Sequence, residues 1–265
     1  MTDSSSENPD LRVEVSGHVA QVEVCRPPDN FFDGDLIHRL ADVCDSLDAR
    51  HDCRAIVICS QGKHFCAGYR FSAKSLNSDG GDAQGSEAGR VYAGALRLFS
   101  LKKPVIAAVQ GAAIGGGLGL ALWADFRVTC AEARFSANFA RLGFHHGFGL
   151  SLTLPRAVGP SQADLLLLTG RRIDGVAATR IGLANELVPR ASVRTAAMEL
   201  AAEITQAAPL AVLAIRETQR KDLVAAMRKA IGRELKEQER LKQTSDFREG
   251  IAASVERRAP EFHGK

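Results

Sequence analysis

The chain carries almost no excess of charge of either sign. Its 34 Lys and Arg stand against 31 Asp and Glu, a formal net charge of +3 over 265 residues. That balance gives no argument for nucleic acid or an anionic membrane as partner, and at most mildly favours anionic ligands. Long apolar runs are also missing; even Pro104 to Trp123 is broken by glycines and Gln110, so no membrane span is expected. The six cysteines (Cys25, Cys44, Cys53, Cys59, Cys66, Cys130) form no Cys-x-x-Cys pair, and no Cys/His spacing suggests a metal site. Cys25 and Cys59 sit in strand-like runs and read as small buried hydrophobes, with reduced thiols in a cytoplasmic protein. The opening MTDSSSENPD is polar and acidic, unlike a signal peptide.

What is present is ordinary globular composition, 45% hydrophobic and 25% charged, enough for one large domain or a domain with an appendage. The chain is organised around Pro104 to Asp125, PVIAAVQGAAIGGGLGLALWAD. The run from Pro104 to Val109 predicts a buried strand, Gln110-Gly111 a turn, and the segment after Gly115, Gly116 and Gly117 a buried helix. A helix N-terminus exposes unpaired N–H groups and about half a positive charge, and glycines let a ligand oxygen approach them. The stretch therefore offers a place for negative charge on oxygen, whether phosphate, carboxylate or transient enolate. The alternative is tight helix–strand packing, which also needs small residues. The run fits neither Gly-x-Gly-x-x-Gly, since Leu120 stands at the last glycine, nor a P-loop, which disfavours a nicotinamide-binding dehydrogenase.

Residues 1–10 read as a flexible tail, and Leu11 to Cys25 as a hairpin turning at Ser16-Gly17. Leu36 to Leu47 has helical spacing, and Ala55 to Cys59 is a buried strand. Gly62 to Phe71, GKHFCAGYRF, reads as a short strand broken by glycine. Residues 72–89 form the one long low-complexity segment, expected to be a mobile loop beside a site. Val91 to Leu101 is predicted helical and Phe126 to Thr129 a strand. Pro160 and Gly170 bracket a helix, Asp174 caps the next, and Glu186 to Pro189 is a short strand. Beyond Ala191 strand signals vanish. Arg216 to Lys242 is a charged helical segment with Leu223, Met227, Ile231 and Leu235 on its apolar stripe, its charges read as a solvated face.

Phe65-Cys66-Ala67-Gly68-Tyr69-Arg70, followed by Pro104 to Gly117, resembles the crotonase superfamily, the enoyl-CoA hydratase/isomerase family. The family pattern is Phe-x-Ala-Gly-x-Asp, then Pro-x-x-Ala-x-x-x-Gly-x-x-x-Gly-Gly-Gly. The resemblance continues through Ala124-Asp125-Phe126-Arg127, Leu142-Gly143, Val158-Gly159, Leu168 to Arg171, Ile181 to Asn185, and Asp246 to Phe262. It covers nearly the whole chain after residue 10.

The resemblance implies an α/β fold: a crotonase-like β/α spiral core over residues 11–190 and a C-terminal helical oligomerisation region over 191–265. It implies an acyl-CoA substrate, no cofactor beyond the coenzyme A that the substrate carries, and a trimer or dimer of trimers. It also implies an oxyanion hole made by the backbone N–H groups of Tyr69 and Gly116, aimed at the thioester carbonyl. Such a donor can contribute ~10²–10³ in rate. Coenzyme A is expected near Arg26, Pro28 and Asn30 and along Ala67, Gly68, Tyr69, Arg70 and Phe71, with Gly115, Gly116 and Phe139 also expected to bind the substrate. Arg26 is a candidate for a phosphate contact. Phe262 and Lys265 match tail positions that approach coenzyme A, often across a subunit boundary.

The sequence departs from the family at its acid–base residues. The two hydratase glutamates are replaced by Gly119 and Phe139, and the aspartate after Ala-Gly-x is Arg70. Neither glycine nor phenylalanine moves a proton. His145 and His146, just after Leu142-Gly143, are the substitute candidates; otherwise one packs in the turn and the other faces solvent. Lys74, Tyr92 and the Tyr69 hydroxyl are weaker candidates in or near the loop. His64 reads as solvated and Asp125 as structural. The expectation is a non-standard acyl-CoA enzyme of lyase or isomerase type, in which an enolate could lead to hydration, isomerisation, decarboxylation or bond cleavage. The alternative is a non-catalytic acyl-CoA-binding pseudoenzyme.

Overall fold

A computed structural model of the chain describes residues 9–69 and 86–265. Arg70, Phe71, Lys74 and most of the expected loop and tail lie outside the described residues. The hairpin forms as β1 (Leu11–Ser16) and β2 (Val19–Val24), antiparallel, turning through Gly17 at φ 56°. Beside β2, in parallel, lie β3 (Ala55–Ser60), then β4 (Val105–Val109), β6 (Phe126–Thr129) and β9 (Glu186–Leu187). All residues of β3 and β4 are buried, which is why both read as continuous apolar runs and not as alternating ones.

A second sheet holds β5 (Ala112–Ile114), β7 (Arg134–Ser136) and β8 (Arg172–Asp174). β5 corrects the expectation that the Gln110-Gly111 turn leads straight to the helix. The chain leaves the large sheet after β4, adds a strand to the small sheet, and returns through a helix to β6. β6 likewise steps out into β7. This alternation makes the spiral.

The described helices are α1 (Gly34–Ala49), α2 (Glu87–Phe99), α3 (Gly116–Trp123), α4 (Leu150–Val158), α5 (Pro160–Thr169), α6 (Gly175–Arg180), α7 (Val193–Gln206), α8 (Pro209–Gln219), α9 (Leu223–Lys242) and α10 (Ser245–Glu256). Caps set several boundaries. The Asp33 side chain accepts from Leu36 N at 2.9 Å and the Asp174 side chain from Ala177 N at 2.8 Å. α2 begins at Glu87, earlier than the expected Val91, because Ser86 caps it through Gly89 N at 3.1 Å. α1 packs on α2, and α7 lies across β2, β3, β4 and β6. Trp123, fully buried, donates its indole N–H to Leu98 O at 2.6 Å and ties the end of α3 to α2. Among the described residues no single helix is long and apolar enough to cross a membrane.

Four expectations are corrected. Gly62 to Phe71 is not a strand: among its described residues only Cys66 and Tyr69 form isolated bridges, to Ala113 and Phe32. Cys25 lies just past β2 and is only half-buried. Arg216 to Lys242 is two helices, broken at Arg220 to Asp222, where Asp222 takes φ 63°. Nor is this segment's charge simply a solvated face: Glu234 is fully buried, and Arg216 and Gln238 are buried with it.

Candidate active site

The site is built where the Cys66–Tyr69 segment meets the start of α3. Cys66 N donates to Ala112 O at 2.8 Å and Ile114 N to Cys66 O at 3.0 Å, so Cys66 sits beside β5. Gly115, at φ 57°, turns the chain out of β5 and donates its N–H to Ser136 O at 2.8 Å. Gly116 and Gly117 open α3, where the first N–H groups have no acceptor within the helix. A Cβ at Gly117 would overlap the Cys66 carbonyl, and one at Gly68 would lie 2.7 Å from Ile114 O and 3.6 Å from Gly116 N. Gly68 has φ 101°, a conformation that favours glycine. The backbone at Gly68 therefore packs close against Ile114, two residues before Gly116, although the segments are far apart in sequence. Tyr69 follows immediately, its segment joined to Phe32 by Phe32 N donating to Gly68 O at 3.0 Å.

Aromatic rings wall this junction. Phe32 covers Gly116, its Cζ 2.5 Å from where a Cβ would be; Phe139 lies 3.7 Å from the same point on Gly115. Phe148 covers Gly119, one helical turn beyond Gly116, at 2.6 Å. Phe32 contacts both Tyr69 and Phe148, with ring centroids 6.2 and 5.4 Å apart. Phe139, Phe144 and Phe247 stack edge to face in a second row at 5.4 and 5.2 Å. Gly119 and Phe139 thus carry no carboxylate, and the space beside Gly119 is filled.

His145 and His146 stack with ring centroids 4.0 Å apart, both half-buried, instead of one packing and one facing solvent. His145 Nδ1 lies 2.7 Å from His146 O. His146 Nε2 lies 3.0 Å from Ser151 Oγ, whose hydroxyl donates to Glu234 Oε1 at 2.5 Å. Burial, and then the neighbouring His145, push His146 down to about 4. Burial likewise raises Glu234, against the hydrogen bonds from Ser151 and Gly149.

The other candidates fare differently. Tyr92, expected near the loop, is a buried α2 residue whose OH donates to Gln238 Oε1 at 3.0 Å; burial raises its phenol far above the ordinary range, so it does not titrate near neutrality. Cys66 is buried and pushed up to about 12 by desolvation, which keeps it a thiol. His64 is half-buried, its Nδ1 3.3 Å from Ala112 N, and burial lowers it. Asp125 accepts from Val105 N at 2.8 Å and pairs with Arg216 at 2.9 Å. Among the described residues no cluster of three His, Cys, Asp or Glu could hold a metal ion.

The residues expected near coenzyme A form a turn tied to the site. Asn30 is buried; its Nδ2 donates to Gln61 O and His64 O at 2.8 and 2.7 Å, and its Oδ1 accepts from Arg26 N at 3.0 Å. Asp29 O accepts from Ala67 N at 2.9 Å, placing Pro28 to Asn30 alongside Ala67 to Tyr69. The Arg26 guanidinium pairs with Asp10 and Asp33, both at 2.8 Å, so its charge is already neutralised within the chain. Phe262 is exposed, and the tail folds back so that Lys265 O accepts from Ser245 N at 2.8 Å. The α10 N-terminus there packs Phe247 on Phe144, at the outer end of the Phe139 wall.

From the sequence, Phe139, Phe144 and Phe148 read as lining an apolar or aromatic pocket, or as core; three residues at this junction escape sequence reasoning: Phe32, Glu234 and Gln238. A signal existed for the last two. Met227, Ile231, Glu234 and Gln238 continue one helical stripe, and a polar residue on an apolar stripe marks a buried partner.

An enoyl-CoA hydratase/isomerase family model matches residues 14–265. Carnitinyl-CoA dehydratase of Proteus mirabilis (strain HI4320) is 34% identical over 263 residues, 96% of this chain and 98% of that protein. The protein of the same name from Escherichia coli (strain K12) is 32% identical over 260 residues, again 96% and 98%. Among solved structures, carnitinyl-CoA hydratase from Mycobacterium avium superposes with a TM-score of 0.85 at 30% identity, covering 98% of this chain and 100% of that one. An enoyl-CoA hydratase/isomerase from Pseudoalteromonas atlantica T6c superposes at 0.84 with 26% identity, over 96% and 100%. The glycine junction, the alternation of two sheets and matches along almost the full chain lead to one conclusion: this protein belongs to the enoyl-CoA hydratase/isomerase family and has its crotonase fold.

Proposed function

We propose that this protein processes an acyl-CoA thioester, holding the thioester oxygen between the backbone N–H groups of Tyr69 and Gly116. The observation that carries this reading is the packing of the Cys66–Gly68 backbone against Ile114 and Gly117 at the opening of α3. Removing a proton from the carbon beside a thioester moves an electron pair toward that oxygen. Fixed donors and the positive end of a helix stabilise the charge as it develops. Phe32, Phe139 and Phe148 keep the junction apolar, which strengthens such an interaction. The coenzyme A part would lie along Pro28 to Asn30 and Ala67 to Tyr69. With Arg26 paired to Asp10 and Asp33, its contact there is through backbone and stem, not a free charge. The names of the dehydratase relatives favour a lyase-type reaction on the acyl group. His145 and His146 remain the nearest acid–base candidates in sequence to the lost second glutamate. Family-like assembly into trimers or paired trimers would bring Phe262 and Lys265 toward a neighbouring copy.

The test compares Gly116→Pro with Gly116→Ala on a panel of CoA thioesters followed by mass spectrometry. Both variants crowd Phe32, but only proline removes the N–H, and it is tolerated at the first position of a helix. Turnover by the proline variant is expected ~10²–10³ below that of the alanine variant; equal turnover overturns the oxyanion role. A second reading, a non-catalytic acyl-CoA binder, is favoured by Gly119 and Phe139 in place of carboxylates. It is supported if thioesters bind to the protein and none is converted.

A further inference from the structure

Phe148 sits between two glycines, Gly147 and Gly149, and takes φ 59°, a left-handed conformation that a bulky side chain avoids. Such a conformation persists only where its surroundings over-determine it. Here the surroundings are α9. The fully buried Glu234 carboxylate accepts from Gly149 N at 2.8 Å, Ser151 N at 2.9 Å and Ser151 Oγ at 2.5 Å, satisfying groups at the start of α4 that no helix carbonyl can reach. One turn along α9, Gln238 Nε2 donates to His145 O at 3.0 Å and Gln238 Oε1 accepts from Tyr92 OH at 3.0 Å. Both ends of the loop are therefore clamped by one helix. Gly149 packs against Met227 and Gly147 against the Tyr92 hydroxyl, and neither site has room for a Cβ.

The clamp drives one ring into one place. Phe148 is only 2% exposed, lies against Gly119 and contacts Phe32, which itself covers Gly116. Gly119 and Gly116 are neighbours on the same face of α3, so the ring fills the space next to the thioester position. Resting on the acyl-CoA reading above, we infer that Phe148 is a plug that limits the size of the acyl group accepted at this site, and that Glu234 is the positioning residue that holds the plug in place. A ring fixed by its backbone cannot swing aside for a longer chain as a flexible side chain would. Removing it opens room for several methylene groups. Each methylene newly buried gains about four-fold in affinity, from ~0.8 kcal/mol per CH₂.

The experiment measures the dissociation constants of acetyl-, butyryl-, hexanoyl-, octanoyl- and decanoyl-CoA by calorimetry, with folding checked by circular dichroism. Wild type is expected to gain affinity with chain length and then stop. In Phe148→Ala the octanoyl-to-acetyl affinity ratio should rise about ten-fold or more; Phe148→Leu, a gentler change, should shift it in the same direction. Glu234→Ala touches no substrate, yet it should also raise the ratio by releasing the loop. Glu234→Gln, which keeps an acceptor, should restore part of the limit. A folded set of variants with the wild-type ratio overturns the plug, whereas a purely structural Glu234 would change stability and leave the ratio alone. If wild type binds none of the thioesters, the acyl-CoA reading fails and the plug falls with it, an outcome distinct from binding without a change in ratio.

Discussion

His146 rests against the His145 ring and is held at about 4 by burial, well below the 6.5 of a free imidazole. The folded chain therefore refuses a proton that the unfolded chain accepts between pH 6.5 and 4. By linkage the protein loses stability as pH falls through that window. Urea unfolding of wild type and His146→Gln at pH 7 and 4.5 should show the variant spared a loss on the order of 2 kcal/mol. Equal losses overturn the neutral, buried histidine. Glu234, raised by burial, acts in the opposite sense, but it is present in both proteins and cancels from the comparison. At this scale the legible residues of the candidate site are those whose backbone matters: Gly68, Gly115 and Gly116 announce close packing that a larger residue would obstruct. Arg26 shows why side chains were harder. Its partners Asp10 and Asp33 lie sixteen residues before and seven after it, on opposite sides of a turn, a spacing that does not by itself mark its charge as already taken.

At the scale of elements, the strand–turn–helix centred on β4 and α3 was visible as an apolar run followed by glycines. The three residues of β5 were not, since so short a strand is defined by its pairing with β7 and has no pattern of its own. Asp125 closes this unit. It exchanges hydrogen bonds with Val105 and holds Arg216 of α8, whose side chain is 9% exposed. Asp125→Ala should destabilise the protein by about 3 kcal/mol or more, because a buried guanidinium is left without its carboxylate. Denaturant unfolding measures this, and a loss below ~1 kcal/mol would show that the pair does not hold α8 to the sheet. α9 carries the opposite lesson. Its stripe of Leu223, Met227 and Ile231 predicted the buried face, yet Glu234 on the same face was assigned to solvent by its charge alone. Its burial becomes intelligible only once the N–H groups opening α4 are seen to converge on it.

Across the whole molecule, several large apolar side chains stay exposed on the single chain, among them Leu168 at 79% and Leu210 at 80%. Both lie on helices outside the two sheets, and burying them stabilises association. The proposed assembly gives a direct expectation: light scattering at micromolar concentration should return three or six times the chain mass. A mass equal to one chain refutes the assembly.

The sequence by itself determined the family, the order of most elements and the glycine positions at which backbone meets backbone. Each of these rests on local pattern or on a conformation that few residue types allow. Only the tertiary structure decided what surrounds those glycines. Phe32, Phe148 and the Glu234–Gln238 turn of α9 come from three separate parts of the chain, and their roles depend on distances between segments that no local spacing encodes. The central stretch shows both halves of this. Its glycines state that something must approach α3 closely, and the fold supplies what does: the Phe32 ring at Gly116, the Cys66 carbonyl at Gly117 and Phe148 at Gly119.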